Sequence, residues 1–338
     1  MRQMEQTMKA LVYEGPKAMR MRTLPVPEPK YDEVIVRVER VGICGSELSG
    51  YLGHNSLRKP PLVMGHEFAG TVHTVGSGVT SFKIGARVTA NPLISCLMCR
   101  DCMAGKPQLC KQRQLIGAHC PGAFAEYVSV PARNVYPLDD LAFDEGALAE
   151  PFACGVHICR ILNLDPADQL MIMGAGPIGL FALIAAQQFG LHNIVVMDLN
   201  QERLSIVEKL GGKPAASTDD LERLTPSDGF DVSIDAVGRD ATRQLAVKQL
   251  RQGGRVCFSG LHEANSPLPI NSIIRNETSA YGAFAYAPRD FECALEWLKQ
   301  GKVNLQPWIE LRPLGEGGPA FEKLLNAPGS TAKILLHL

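Results

Sequence analysis

The 338-residue sequence lacks the features that mark several large classes of protein. Its formal net charge is only −1, so it has no excess of basic residues for binding nucleic acid or an anionic membrane. No apolar run reaches the roughly 18 residues of a membrane-spanning helix. The N-terminal stretch also lacks the apolar core of a secretion signal. We therefore expect a cytoplasmic protein with no nucleic-acid or membrane partner.

Cysteine, in contrast, is abundant, and part of it is clustered. Four of the ten cysteines follow the spacing C-x2-C-x2-C-x7-C, namely Cys96, Cys99, Cys102 and Cys110. Without a secretion signal, such a cluster indicates metal more often than disulfides, which are the alternative. Four thiolates favour tetrahedral zinc and leave no vacant position on the ion. The pattern predicts a structural zinc ion in a lobe of about residues 92–114.

A glycine-rich segment predicts a dinucleotide site. A short apolar strand at 169–173 is followed by GAGPIG at 174–179, which fits G-x-G-x-x-G, and then by a helical pattern. In this motif the first glycine permits a tight turn, the second lets the backbone approach a pyrophosphate, and the third lets helix and strand pack closely. The helix N-terminus adds unpaired N–H groups. The candidate cofactor-binding residues here are Gly174, Gly176, Pro177, Ile178 and Gly179.

An acidic residue in the right place strengthens this prediction. Asp198 lies nineteen residues after Gly179, at the end of the next apolar run. A carboxylate there can bind ribose hydroxyls and would repel a 2′-phosphate, which favours NAD over NADP. The alternative is that Asp198 only caps the helix that begins near Gln201. Arg203 is a further candidate, able to fold against the adenine.

The pattern of predicted strands and helices changes near Pro151. Before it, alternating valines at 34, 36 and 38 and several short β-rich pieces, punctuated by Gly and Pro, predict an irregular β domain. After it, apolar strands alternate with helical segments, which predicts an α/β arrangement with a doubly wound parallel sheet. We expect the tail, with a helix at 288–299 and a last strand at 332–336, to return to the first domain.

A second group of potential ligands is scattered along the first domain. Cys44, the pair His66-Glu67, and Glu150 together offer a thiolate, an imidazole and carboxylates, which suit a zinc ion with one vacant position. Each residue also has an ordinary interpretation. Cys44 could be a core cysteine, His66 a hydrogen-bonded loop residue and Glu150 a helix cap. The spacing alone does not choose between these interpretations.

Taken together, these motifs resemble one family. GHE at 65–67, Cys44-Gly45, the four-cysteine lobe and GAGPIG are similar to the zinc-dependent medium-chain alcohol dehydrogenases, from about Met8 to the end of the chain. The nearest likeness is to the polyol branch, with sorbitol, threonine and galactitol-phosphate dehydrogenases. The resemblance implies a GroES-like β-rich catalytic domain, 1–150 with 285–338, and a Rossmann coenzyme domain, 151–284.

The same resemblance implies the chemistry. Cys44, His66 and Glu67 would bind a catalytic zinc ion, with Glu150 binding it directly or through water, so that each chain holds two zinc ions. A secondary alcohol, polyol or sugar-derived hydroxyl would bind as a zinc alkoxide and pass a hydride to NAD. Ser46 would accept the proton, unless it is a simple turn residue.

Other interpretations stay open at this point. A zinc-free reductase of the same superfamily, such as a quinone reductase, would not need the predicted ligands. A non-catalytic scaffold stabilised by zinc could retain the nucleotide fold without turnover. Relatives assemble through the nucleotide domain, so the likeness predicts a homo-oligomer and favours a tetramer over a dimer.

Overall fold

The structure is a computed structural model that describes residues 6–303 and 308–338, and these form two compact units. The first unit comprises Met1–Glu150 and Leu295–Leu338, and the second comprises Pro151–Ala294. The predicted catalytic domain also includes 1–5 and 304–307, which lie outside the described residues.

The first unit is dominated by β-strands. Its strands are β1 (Thr7–Gly15), β2 (Ala18–Pro25), β3 (Glu33–Gly42), β4 (Leu62–Val63), β5 (Glu67–Val75), β6 (Arg87–Ala90), β7 (Leu93–Ile94), β8 (Gln114–Leu115), β9 (Tyr127–Pro131), β10 (Val135–Pro137), β17 (Ile309–Pro313) and β18 (Lys333–His337). Its helices are α1 (Gly45–Tyr51), α2 (Arg100–Met103), α3 (Phe143–Ala147) and α11 (Gly317–Asn326).

A seven-stranded sheet organises this unit, in the order β10-β6-β5-β3-β18-β17, with β9 also paired to β3. The valines at 34, 36 and 38 in β3 are buried in the core, as their alternation predicts, whereas Arg37 between them is exposed. β18 pairs antiparallel with β3, so the C-terminal strand lies in the sheet of the first unit. Separate sheets are formed by β2-β1-β4 and by β7-β8.

Strand pairing brings distant residues to one edge of the large sheet. Gly42, at the end of β3, is opposite both Glu67 of β5 and Leu335 of β18. A Cβ on Gly42 would lie 2.2 Å from Glu67 Oε2, so only glycine allows this approach. The starts of β5 and β18 are therefore neighbours although they are far apart in the sequence.

The second unit alternates strands and helices. Its strands are β11 (Leu170–Met173), β12 (Ile194–Met197), β13 (Lys213–Ala215), β14 (Phe230–Asp235), β15 (Leu250–Phe258) and β16 (Ser279–Gly282). Its helices are α5 (Pro177–Gln188), α6 (Gln201–Lys209), α7 (Thr218–Leu224), α8 (Asp240–Lys248) and α9 (Ile270–Arg275), together with most of α4 (Ala149–Leu162) and the first half of α10 (Pro288–Lys299).

All strand pairs in the second unit are parallel, in the order β13-β12-β11-β14-β15-β16. Strand order runs outward from β11 in both directions, which is the doubly wound arrangement that the sequence predicted. The change of direction lies beside β11, the strand that leads into GAGPIG.

One boundary differs from the sequence-based expectation. The second unit continues to Ala294, past the predicted domain end at 284. The start of α10 belongs to the second unit because the Asp290 carboxylate accepts hydrogen bonds from His157 and Arg160 of α4.

Candidate functional site

The four predicted cysteines of the lobe come together. The Sγ–Sγ distances are 3.5 Å for Cys99–Cys102, 3.5 Å for Cys110–Cys96 and 3.9 Å for Cys96–Cys102. All four sulfur atoms lie within 4.8 Å of one another, and none forms a disulfide. Four thiols at these distances can surround one ion, which fits tetrahedral zinc.

Backbone geometry prepares this lobe for a metal. N–H groups of Met98 and Cys99 point at the Cys96 sulfur and hold the pKa of its thiol down to about 6. Burial and the neighbouring sulfurs have the opposite effect on Cys102 and raise the pKa of its thiol to about 11. Four sulfurs held this close without a disulfide need a cation to stay ionised together.

A second group of ligand atoms lies at the edge of the large sheet. Cys44 precedes α1, His66 precedes β5 and Glu67 begins β5, and their ligand atoms lie within 4.8 Å of one another. His66 is 4% exposed and Glu67 is fully buried, whereas Cys44 is partly exposed. We call these three residues the open cluster, because three protein ligands leave a zinc ion one position for another group.

The imidazole of the open cluster is held by a buried carboxylate. His66 Nδ1 lies 2.8 Å from Glu47 Oε1, and Glu47 also accepts hydrogen bonds from the backbone N–H groups of Gly65 and Cys44. An ionised carboxylate can only accept, so Nδ1 donates and Nε2 is left to bind a metal. Glu47, three residues after Cys44, thus has a structural role here, and the sequence spacing did not predict its contact with His66.

Lys333 is the second residue that the sequence analysis missed. Its Nζ lies 2.6 Å from Glu67 Oε1 and 2.5 Å from Oε2, and donates to the Ile43 carbonyl at 3.1 Å. Lys333 is only 1% exposed. A lysine at the start of the apolar final strand was the available signal, because a buried ammonium requires an anionic partner.

The charges of the open cluster favour a cation. Burial alone would lower the pKa values of His66 and Lys333, yet both are raised. The negative charges of Glu47 and Cys44 act on His66, and those of Glu67 and Cys44 act on Lys333. The acidic groups therefore outweigh the effect of burial on both side chains, and a divalent cation bound here would meet the same negative charges.

Glu150 takes a different place from the other three predicted ligands. It lies in the first turn of α4, is 8% exposed, and does not belong to the group of mutually close ligand atoms. Its negative charge contributes to the raised pKa of Lys333. The structure thus places Glu150 in the electrostatic surroundings of the open cluster.

The predicted relay residue lies beside the thiol. Ser46 Oγ donates to Cys44 Sγ at 3.3 Å and accepts a hydrogen bond from Arg58 Nη2 at 3.0 Å. Arg58 is 4% exposed and was not identified from the sequence. The hydroxyl is thus placed where a group bound at the open cluster could reach it.

The glycine-rich loop has the geometry that its motif predicts. Gly174 follows β11 with φ of +99°, a conformation that favours glycine. A Cβ on Gly179 would lie 1.8 Å from the Gly174 carbonyl oxygen, whereas one on Gly176 would meet nothing within 4 Å. Gly176 caps α5, with Pro177 and then Ile178 opening the helix. The approach to this helix N-terminus is open to a phosphate group.

Asp198 is tied to this loop. Its Oδ2 accepts from the backbone N–H of Ala175 at 2.7 Å, and its Oδ1 accepts from Asn200 at 2.8 Å. The cap of α6 is Asn200, whose side chain accepts from Glu202 and Arg203. The helix-cap alternative for Asp198 is therefore not what the structure shows. Arg203 has a buried Nε with no hydrogen-bond partner among the described residues.

Comparison with known proteins decides the family. The model named "Alcohol dehydrogenase GroES-like domain" matches residues 30–140, and "Zinc-binding dehydrogenase" matches residues 177–300. Sorbitol dehydrogenase of Bacillus subtilis (strain 168) is 34% identical over 346 residues, covering 98% of this chain and 98% of that protein. The chain belongs to the zinc-dependent medium-chain alcohol dehydrogenase family. It lies in the polyol branch and is a hydride-transferring oxidoreductase.

Two solved structures similar to this chain hold a nicotinamide cofactor. A short chain alcohol dehydrogenase of Escherichia coli CFT073, complexed with NADH, has a TM-score of 0.91 and 28% identity, with 98% of this chain and 99% of that chain covered. A putative zinc-binding dehydrogenase of Sinorhizobium meliloti 1021, bound to NADP, has a TM-score of 0.92 and 28% identity, with 99% and 100% covered. The likeness supports a nicotinamide dinucleotide without choosing between the two.

The resemblance and the fold class predicted from the sequence are thus confirmed. Among the helices that the structure describes, none has both the length and the apolar character to cross a membrane.

Proposed function

We propose that this chain is an NAD-dependent zinc dehydrogenase that oxidises a secondary alcohol, a polyol or another sugar-derived hydroxyl. The observation that carries the proposal is the open cluster, in which Cys44, His66 and Glu67 present their ligand atoms within 4.8 Å of one another. A zinc-free reductase would not need these three ligands. A scaffold protein would not need a metal site that is partly open to solvent at Cys44.

In this proposal the chain holds two zinc ions. Cys44, His66 and Glu67 hold the catalytic ion, with Glu150 binding directly or through water, and the four-cysteine lobe holds the structural ion. The catalytic zinc supplies a Lewis acid for the substrate oxygen, and NAD supplies the hydride acceptor. The four thiolates of the lobe, and the thiolate and imidazole of the open cluster, suit zinc better than magnesium or calcium.

The chain's own residues orient the reaction. Glu47 fixes the imidazole of His66, and Lys333 holds the carboxylate of Glu67 from the protein side. Ser46 Oγ lies 3.3 Å from Cys44 Sγ, next to the place where a substrate hydroxyl would bind, and it has a lone pair left. Ser46 therefore accepts the proton of that hydroxyl. The catalytic role thereby falls to the first unit, Met1–Glu150 with Leu295–Leu338, and coenzyme binding to the second, Pro151–Ala294.

The substrate proposal rests on chemistry and on the named relative. A polyol or a sugar acid offers a secondary hydroxyl next to further hydroxyls, and the Bacillus relative is named for sorbitol. Sorbitol is one member of this class, and the proposal assigns no single substrate within it.

The proposal is tested by zinc analysis and by a substrate panel. Purified protein should contain two zinc ions per chain and should reduce NAD with at least one member of a panel of secondary alcohols, alditols and aldonates. One zinc ion per chain, confined to the four-cysteine lobe, together with no NADH formation across the panel, would contradict it.

We propose NAD rather than NADP because Asp198 follows β12 beside the glycine-rich loop. A carboxylate at this place pairs with ribose hydroxyls and repels a 2′-phosphate. Asp198→Ala should raise KM for NAD about tenfold, the cost of one lost hydrogen-bonded charge contact, and leave KM for NADP nearly unchanged. Glu202→Ala on exposed α6 is the matched control. Equal weakening of both cofactors would reject ribose recognition by Asp198.

We also propose a homo-oligomer, with a tetramer favoured over a dimer by the resemblance. The exposed β16 (Ser279–Gly282) is an edge strand of the parallel sheet, and such an edge can pair with a second copy. Light scattering of the purified protein measures its mass and therefore the number of chains in the assembly. A monomer at micromolar concentration would reject the proposed homo-oligomer.

The proposed dependence on NAD supports a cytoplasmic location.

A further inference from the structure

Arg58 is an unusual residue to find beside the open cluster. It is 4% exposed, and its Nη2 donates to Ser46 Oγ at 3.0 Å. Its Nε is buried with no hydrogen-bond partner among the described residues. A buried guanidinium is costly unless it is well paired, so the contact with Ser46 calls for a physical reason.

The loop after α1 holds Arg58 in this position. The Arg58 backbone N–H donates to the Asn55 carbonyl at 3.2 Å, and Asn55 Nδ2 donates to the Ser46 carbonyl at 3.4 Å. A Cβ on Gly50 would lie 2.5 Å from Arg58 Cδ, so the glycine makes room for the arginine stem. The hydrogen bonds of the loop and the close packing of the Arg58 stem against Gly50 therefore hold the guanidinium beside Ser46.

The hydrogen-bond capacity of Ser46 shows what this contact does. A hydroxyl has one hydrogen and two lone pairs. The hydrogen points to Cys44 Sγ, and Arg58 occupies one lone pair. One lone pair remains, and it is the only place where a substrate hydroxyl could donate. Arginine has no acceptor, so a proton cannot leave Ser46 by way of Arg58.

We propose that Arg58 is a positioning residue that fixes the Ser46 hydroxyl beside Cys44 and leaves it one free lone pair for the substrate. The kinetic part of this inference rests on the proposed dehydrogenase function. Ser46 Oγ takes the substrate proton as the hydrogen that it now donates to Cys44 Sγ turns away and leaves to solvent, because Arg58 has no acceptor for it.

The first test does not depend on a substrate. With cobalt(II) in the open cluster, the thiolate-to-cobalt absorption band reports the hydrogen bond that Cys44 Sγ receives. Loss of that bond raises the energy of the sulfur electrons and shifts the band to longer wavelength. Arg58→Met should shift the band as Ser46→Ala does, and the double variant should show no further shift. Lys59→Met, which removes an exposed cation of the same loop, should leave the band in place.

The second test is a kinetic double-mutant cycle with the substrate that the panel identifies. Ser46→Ala should lower kcat about a hundredfold, as loss of a general acid–base group does. Arg58→Met should lower kcat about tenfold with little change in KM, and the double variant should match Ser46→Ala, because Arg58 acts through Ser46. Arg58→Lys, which retains a donor, should recover part of the loss.

The outcomes separate the two proposals. An unshifted band in Arg58→Met, or effects of the two substitutions that add in the double variant, would overturn the role of Arg58 even if the wild type turns over substrate. If no substrate is found, the dehydrogenase proposal fails while the cobalt spectra still decide the Arg58 inference. Should Arg58→Met not fold or not take up cobalt, a crystal structure of Arg58→Lys decides the inference. Displacement of Ser46 Oγ when the lysine makes no hydrogen bond to it supports the role of Arg58, and Ser46 Oγ retained without that hydrogen bond overturns it.

Discussion

Among the described residues, each unit contains a buried histidine paired with a buried carboxylate. In the first unit His66 Nδ1 lies 2.8 Å from Glu47 Oε1, and in the second His157 Nδ1 lies 2.6 Å from Asp290 Oδ2. All four side chains are at least nine-tenths buried. By the usual signs of a functional histidine, burial and an orienting carboxylate, the two pairs look alike.

Their surroundings differ. His66 is grouped with Cys44 Sγ and a Glu67 oxygen within 4.8 Å. His157 belongs to no such group among the described residues, and its carboxylate is shared with Arg160, whose Nε donates to Asp290 at 2.6 Å. An orienting carboxylate therefore does not identify a catalytic histidine. What identifies it is a set of further metal-ligand atoms within reach of the same ion, here those of Cys44 and Glu67.

The largest expected effect would separate the two histidines directly. His66→Ala removes a ligand of the open cluster, so kcat/KM should fall at least about a thousandfold, because metal catalysis contributes several kcal/mol. One of the two zinc ions should be lost. His157→Ala should keep both zinc ions and stay within about threefold of wild-type activity, while the free energy of unfolding falls by about 2 kcal/mol as Asp290 loses a partner.

Zinc analysis, steady-state kinetics and urea unfolding of both variants measure this difference. If His157→Ala lost activity as severely as His66→Ala at equal folded fraction, the structural assignment of the second pair would be wrong. If His66→Ala kept two zinc ions, the ligand assignment would be wrong.

The parts of the fold and site that the sequence predicted are those encoded locally. The four cysteines span fifteen residues, from Cys96 to Cys110, and GAGPIG lies between a strand and a helix, so each motif carries its own context. His66 and Glu67 are adjacent, but Cys44 joins them only because β3 pairs with β5 at Gly42 and Glu67. For that group the resemblance supplied what the spacing could not.

Two partners of the open cluster could not be predicted in this way. Lys333 lies 266 residues from Glu67, and only the pairing of β18 with β3 brings them together. Arg58 lies in a loop twelve residues after Ser46, and nothing in the local pattern directs its side chain. Residue type signals that a buried charge needs a partner, but only the fold decides which partner it finds.

A second test compares two carboxylates, the buried Glu67 and the partly exposed Glu310, by removing the lysine that pairs with each. Lys333→Met leaves Glu67 buried and unpaired, so the zinc-free protein should lose about 4 kcal/mol, as broken buried pairs do. The loss should be smaller in the zinc-loaded protein, because the ion then neutralises Glu67. Lys323→Met, which breaks the partly exposed pair with Glu310, is the control and should cost at most about 1 kcal/mol regardless of zinc.

Urea unfolding with and without zinc measures both variants. A cost for Lys333→Met that is the same in both states would mean that zinc does not replace the ammonium as the partner of Glu67, and the shared-carboxylate arrangement would have to be abandoned.

The smallest expected effect concerns pH and belongs to the second unit. Burial would raise the pKa of Asp290, but the hydrogen bond and charge of His157, with Arg160, hold it below its usual value. A carboxyl with a lowered pKa in the folded state stabilises the protein fully above the unfolded pKa of about 4, and this contribution is lost as pH falls through the folded value. Asp290→Asn should therefore cost about 1.5 kcal/mol at pH 7 and progressively less below pH 4. Both proteins share the acid loss of zinc, so the difference between their urea unfolding curves isolates Asp290, and a difference that stayed constant down to pH 3 would show that the carboxylate charge stabilises nothing here.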